Sequence, residues 1–447
     1  FTKCLVTDEA ETNAENCACG SSACTASTTG LYCNADEHKC SGTCKTGTTL
    51  NHSILIHGST DSSEVLGCAW TTHGIDWCSK TNGERATFGA HSLSIRQCNF
   101  TTAMTINADV ALKLIGDFSM PTVLSGMKTT NFFVVSGALT LVDLILKDGK
   151  DNLFGGAFEV KSYGSRLHLI RSMVYDCVAA SGGAIVLIDQ AVLLMDSSTL
   201  ESNEATSGEG GAIRATSGSR IKLVTGTKSS IRGNRGHSVG GVFLEDRSTI
   251  DVSGIGTHLI IQTNTGQLIG GGLTLNTGSS VHVAAGGRLD VINNTCGSNG
   301  GGFLLESGTR LEIFGNGTQV VVHGNSYGNI GGGFTVLRGA LLKVASGAYL
   351  EISDNKPTGT DSDSRGGGAY FQDKDTSFEI HSGANVVVQG NVAARRGGGL
   401  FLATKTALII SSGAFLDVIN NTATNHDGGG MYLEDSVLDV SGSGTKL

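Results

Sequence analysis

The sequence predicts an all-β chain: a parallel β-helix, a solenoid of about twelve three-strand coils, preceded by a small disulfide-rich module. Three observations carry this expectation. Glycine pairs or triplets recur at a near-constant interval. An asparagine recurs at an almost fixed distance before them. Cysteine is concentrated near the N-terminal end.

The 447 residues include 65 Gly but only 2 Pro, Pro121 and Pro357, and carry a net charge of −9. Disordered glycine-rich chains usually carry proline as well. Here the glycines are periodic and sit between apolar, β-branched runs, so they read as turns of a folded object. The negative balance argues against nucleic acid or an anionic membrane as partner. Membrane insertion is not expected either: the most apolar stretch, residues 132–146, is short and contains Ser136, Gly137 and Asp143. The chain opens at Phe1 without a charged-then-apolar leader, as expected of a mature secreted protein.

Residues 1–44 hold Cys4, Cys17, Cys19, Cys24, Cys33, Cys40 and Cys44 with almost no apolar core, so disulfides must hold this segment. Zinc is the less fitting alternative, because paired CxxC spacing is missing. Residues 45–88 read as a disulfide-tied transition or cap, with Cys68 and Cys78 flanking Trp70 and Trp77. Cys98 completes a set of ten, which points to an oxidising compartment and leaves the connectivity open. The stretch CACGSSACTASTTGLYCNADEHKC resembles short Cys-rich modules of extracellular proteins in algae and other protists.

The solenoid is expected over residues 89–447. Its units read GGAFEV from Gly155, GGAIVL from Gly182, GGAIRA from Gly210, GGVFLE from Gly240 and GGGLTL from Gly270. They continue as GGGFLL from Gly300, GGGFTV from Gly331, GGGAYF from Gly366, GGGLFL from Gly397 and GGGMYL from Gly428. The coil starting at Gly331 divides into GGGFTVL, ALLKVAS and AYLEISDN, which are three strand-length segments with short breaks. About thirty residues with no helical period suit three strands and three turns. A propeller blade needs about forty, and a leucine-rich repeat needs an LxxLxLxxN pattern that is absent.

The GGA/GGG-plus-Asn units resemble the repeats of polymorphic outer-membrane-type proteins and their protist relatives. The run FFVVSGALTLVDLILKDG before the first GGAF resembles the opening coils of right-handed, pectin-lyase-like β-helix surface proteins. The resemblance implies a right-handed helix and an extracellular or cell-surface setting reached through the secretory pathway.

The recurring asparagines are Asn203, Asn234, Asn264, Asn294, Asn325, Asn355, Asn391 and Asn421. Asparagine tolerates left-handed backbone at turns, and stacked amides can hydrogen-bond from coil to coil as a ladder. Eight copies of one residue do not make a catalytic constellation. Five N-x-[ST] sequons, at Asn51, Asn99, Asn293, Asn316 and Asn420, are candidate glycosylation sites. If Asn294 and Asn421 point inward, period two turns Asn293 and Asn420 outward.

The same period assigns an outer stripe. The first and third residues after the last glycine are expected inward, and those between them outward. A lateral contact surface of Phe243, Leu304, Tyr370, Phe401 and Tyr432 follows, unless turns cover it. Glu159 and Arg214 fall on "inward" positions in early coils, so the phase is expected to change between early and late units.

No enzyme or cofactor is expected. Carbohydrate-active solenoids need carboxylates clustered on neighbouring coils, to bind Ca²⁺ or act as acid and base. The sequence has no Asp-Asp pair and no Gly-His-Gly, and Arg235-Gly236-His237 is a lone basic spot. The acidic patch at residues 148–151 and the pair Asp361 and Asp363 read as solvated loops, although the pair has the residue type for Ca²⁺. Cys177 and Cys296 each precede the last glycine of their unit by six residues. They are expected at one angular position four coils apart, about 19 Å, beyond disulfide reach. Burial is the expected state, and an intermolecular bridge the alternative.

The functional expectation is a structural subunit of an extracellular filament, flagellar hair (mastigoneme) or cell-surface layer. Such a subunit assembles head-to-tail and laterally with itself and with other extracellular structural proteins or polysaccharides. Ending at SVLDVSGSGTKL suggests that the natural chain continues or that this end stacks on another subunit. The alternatives are a cell-surface adhesin stem and a carbohydrate-binding or carbohydrate-active β-helix.

Overall fold

The computed structural model describes residues 103–108, 111–116, 122–359 and 363–447, together with Asn99, Phe100 and, before them, the backbone of short strands. The described chain is a parallel β-solenoid of about 11 turns, close to the twelve expected, with three main sheets.

Each coil runs in the same order. In one of them, Leu273–Leu275 joins the first sheet, Ser280–Ala284 the second and Arg288–Ile292 the third. The coil at Gly331 gives Phe334–Leu337, Leu341–Ala345 and Tyr349–Ser353, the three segments read from its sequence. A fourth strip was not foreseen. Two-residue strands such as Thr295–Cys296 follow the ladder asparagine and stack into a narrow sheet of seven, from Val178–Ala179 to Lys356–Pro357. Two residues are too short a run to show a period.

Alternation makes the core. Leu273 and Leu275, Val281 and Val283, and Leu289 and Val291 all point inward and are fully buried. Each of the three walls thus gives two apolar side chains per coil, and removing each from water contributes about 1.5–3 kcal/mol. Because the sheets are in register, like stacks on like: Phe303 lies 4.8 Å from Phe334 and Phe133 lies 5.8 Å from Phe158, each pair nearly coplanar.

The glycine corner explains the apparent phase change. Register pairs Phe158, Ile185, Ile213, Val242, Leu273 and Phe303 in one row. Ala157, Ala184 and Ala212 therefore stand where later coils have the third glycine. Glu159 and Arg214 lie on the outer face in every coil, and no phase shift occurs. The first glycine supplies left-handed backbone, as at Gly300 with φ 74°. The middle one lets coils touch: a Cβ on Gly271 would lie 2.3 Å from the Gly301 carbonyl oxygen.

At the N-terminal end, Ser53–Leu55 pairs in parallel with Ala111–Ile115, so the second sheet starts inside the segment expected as a cap. The antiparallel strands Ile75–Lys80 and Arg85–Ala86 lie at the start of the third sheet. The side chains of the ten N-terminal cysteines, like that of Asn51, lie outside the described residues. Among the described residues no helix is long and apolar enough to cross a membrane.

Candidate functional site

The eight recurring asparagines form one continuous ladder, buried from Asn203 to Asn391 and half-buried at Asn421. Asn203, Asn234, Asn264, Asn294, Asn325, Asn355 and Asn391 each donate Nδ2–H to the Oδ1 of the next, at 2.8–3.0 Å. The same oxygen also accepts the backbone N–H of the preceding rung, at 2.9–3.0 Å. The second Nδ2 proton goes to the carbonyl three residues before that rung, as from Asn294 to Ile261. In the seven buried rungs every amide hydrogen-bonding group is engaged, which is what burial requires. The left-handed backbone belongs not to these residues but to the ones before them: Ser202, Thr263, Asn293, Asp354 and Asn420 have φ of 52–55°.

Asn293 and Asn420 are therefore exposed at one corner, beside Asn294 and Asn421, and Asn316 is exposed at another turn. Asn99 is buried, only 3 % exposed, which corrects its reading as a glycan acceptor, since a glycan needs a solvent-facing amide.

Cys177 heads the ladder. Its backbone N–H donates to Asn203 Oδ1 at 3.0 Å, as an asparagine rung would. Cys296 instead pairs with Gly266 in the narrow strip. The two cysteines do not share an angular position, because the link from ladder to glycines is shorter in the early coil. Both are free and fully buried, and burial pushes both thiols up to about 12.

None of the comparisons with known protein families, curated proteins or solved structures gives a match for this chain.

The outer stripe is not a free surface. Phe243, Leu304, Tyr370 and Phe401 do face away from the main core, but they are only 5, 1, 4 and 0 % exposed. The segment before the glycines folds back over them. Its residues Ile269, Asn299, Ile330, Arg365 and Arg396 form a row of isolated parallel bridges. Ile269 and Ile330 pack on the stripe, which becomes a second, small core with Leu337 and Ala403. Tyr370, Phe401 and Tyr432 stack at 5.0 and 5.3 Å, with Arg365 over Phe401 and Arg396 over half-buried Tyr432. Period two placed these residues on the correct side; it carries no information about what lies above them.

Charged side chains instead cluster on the outer faces of the second and third sheets. Asp290 is almost buried and accepts from Arg288 at 2.9 Å, with His258 Nε2 at 2.8 Å. Burial pushes its carboxyl up, but these two partners outweigh burial and hold it below the ordinary range. His282 meets Glu312 at 3.1 Å and Lys343 meets Glu379 at 3.8 Å. Glu379 also meets His381 at 3.2 Å, and His381 meets Ser411 at 2.7 Å. Arg288 and Asp290, like Glu379 and His381, are two residues apart on one strand, but the partners on different coils sit about thirty residues apart in sequence, and only the coil register reveals those.

In the acidic loop, Asp363 is bound twice by Arg395, at 2.9 and 2.6 Å, and lies 3.9 Å from Arg365; Asp361 lies outside the described residues. Asp148 lies 3.9 Å from both Lys128 and Lys147. Asp151 accepts the backbone N–H of Leu153 and Phe154, so this patch organises its own turn.

Proposed function

We propose that this chain is a structural subunit of an extracellular fibre or cell-surface layer, with a flagellar hair as the most concrete version. The observation that carries the reading is the unbroken asparagine ladder. It ties each coil to the next by side chain as well as backbone, so bending or pulling is shared along a rod. Long-range order of this kind serves a scaffold, whereas a catalyst needs it only locally. The exposed Asn293, Asn316 and Asn420 fit a glycosylated exterior, and the paired charges on the outer sheets fit polar contacts with copies of the same chain.

Negative-stain microscopy of native material, with sedimentation across a concentration series, tests this. Fibres or concentration-dependent assembly are expected. Single rods that stay monomeric at high concentration overturn the reading.

A further inference from the structure

We propose that Ser411, His381 and Glu379 form a hydrolytic site for short acyl esters on the outer face of the second sheet. The site goes beyond the scaffold reading and does not depend on it.

The fold brings the three together by register. Ser377–Ile380 and Ala407–Ser411 are neighbouring strands of the second sheet, with Ile380 opposite Ile410. His381 therefore stands beside Ser411. Glu379 is two residues before His381, so period two puts both on the outer face.

The hydrogen bonds fix the direction of proton flow. Glu379 Oε2 lies 3.2 Å from His381 Nε2, and a carboxylate accepts only, so Nε2 carries the proton. Nδ1 of the neutral ring is then an acceptor. Ser411 Oγ lies 2.7 Å from it, so the hydroxyl is the donor. This is the order nucleophile, base, orienting carboxylate. Ser280, His282 and Glu312 repeat this order on the second sheet, with Ser280 Oγ 3.0 Å from His282 Nε2 and Nδ1 3.1 Å from Glu312, whereas the third sheet holds the same residue types in a different order. Ser353 gives its proton to Glu351 Oε1 at 2.8 Å, and His323 Nδ1 lies 3.1 Å from Ser353 and 3.4 Å from Asp354. There the carboxylate takes the hydroxyl proton and no base is poised.

A place for substrate adjoins the triad. An open groove of about 640 Å³ is lined by Phe314, Lys343, Ala345, His381, Ser382 and Ser412. Phe314 is 43 % exposed, and Ala345 is its partner on the next coil. Two coil steps, about 9.6 Å, separate Phe314 from the His381 coil, and the small Ala345 leaves that gap open. A short acyl or aryl group fits there. Lys343, whose Nζ lies 3.8 Å from Glu379, lines the same groove together with the Glu312 carboxylate.

The step balances. Ser411 Oγ attacks the ester carbonyl carbon, and its proton passes to His381 Nδ1. The tetrahedral intermediate collapses, the C–O bond to the alcohol breaks, and the alcohol leaves with that proton. Water then attacks the acyl-serine by the same route, releasing the acid and restoring the hydroxyl.

The test uses the full chain with 4-nitrophenyl acetate, and separately with a fluorophosphonate probe followed by peptide mapping. Hydrolysis and a single adduct on Ser411 are expected. Ser411→Ala should abolish labelling, and both it and His381→Gln should lower kcat/KM by roughly 10²-fold or more. Glu379 is a positioning residue. Glu379→Gln should lower kcat with little change in KM, because the ring loses the carboxylate that fixes its tautomer and orientation. Ser353→Ala should keep full activity. Unchanged melting of each variant separates chemistry from folding. Hydrolysis by Ser411→Ala equal to wild type, absence of hydrolysis by the wild type, or an adduct on another serine overturns the proposal.

Discussion

Asn294 gives Asn325 Oδ1 two hydrogen bonds, one from its side-chain Nδ2 at 3.0 Å and one from its backbone N at 2.9 Å. Asn294 is at the same time the acceptor of the corresponding pair from Asn264. Asn294→Ala therefore removes the partner of the Asn264 backbone N–H, of one Asn264 Nδ2–H and of the donor to the Ile261 carbonyl together, all of them buried. Each buried group left without a partner costs about 1–3 kcal/mol. A loss of roughly 3 kcal/mol or more is expected in urea unfolding, with native-state hydrogen exchange rising first at Asn264. A loss below about 1 kcal/mol would mean that water or a shift in the chain replaces the rung.

Cys177 stands in the ladder row, and its thiol donates to the Tyr175 carbonyl at 3.4 Å. Cys177→Asn places a stronger acceptor there and gives a new amide proton to Asn203 Oδ1. Stabilisation of about 1 kcal/mol is expected, read as a raised unfolding midpoint. Native Cys177 and Cys296 should resist iodoacetamide at pH 8, where a thiol held up near 12 is protonated, and both should be alkylated in denaturant. Peptide mapping distinguishes them from the N-terminal cysteines. Native labelling at Cys177 would show that this end of the solenoid opens.

The coil was legible because its period and its inward residues depend on local rules: a strand alternates, a corner needs glycine, and stacked amides satisfy each other. Leu273 and Leu275 could be assigned inward from sequence alone, and both are fully buried. What failed depended on register between coils. The sequence count put Cys177 and Cys296 in one row because it measured back from the last glycine, and that glycine is not the equivalent residue in GGA and GGG units. The stripe of Phe401 and Tyr370 was placed outside, correctly, yet exposure is set by a loop packing back over it. The link between Ser411 and His381 spans one whole coil, and nothing in either strand's own sequence specifies it.

The middle glycine of each corner is the position that stacking itself requires. The first row accepts Val239 and the third accepts Ala157, Ala184 and Ala212, whereas the middle row keeps glycine at Gly156, Gly183, Gly211, Gly240, Gly271 and Gly301. A Cβ on Gly271 meets the Gly301 carbonyl oxygen at 2.3 Å, and backbone cannot swing aside as a side chain can. Gly271→Ala should cost roughly 3 kcal/mol by overpacking. Gly308→Ala, in an open turn where nothing lies within 4 Å, should cost only the strain of its left-handed φ of 71°, on the order of 1 kcal/mol. Equal losses in the two variants would remove close stacking as the reason for the glycine.

Asp290 ties two coils together through His258 on one and Arg288 on its own, and the pair holds its carboxyl below the ordinary value. A carboxyl depressed on folding adds stability that is fully present above its unfolded pKa. That stability is lost as pH falls through the folded value, where the native state must also take up the proton. Asp290→Asn should therefore lower stability at pH 7, by about 2 kcal/mol for hydrogen bonds to a charged group. The gap between variant and wild type should narrow as pH drops below the ordinary carboxylate range. Urea unfolding at pH 7, 5 and 3 measures it. A gap that stays constant across that series would mean that shape and packing at Asp290, and not its charge, hold the two coils in register.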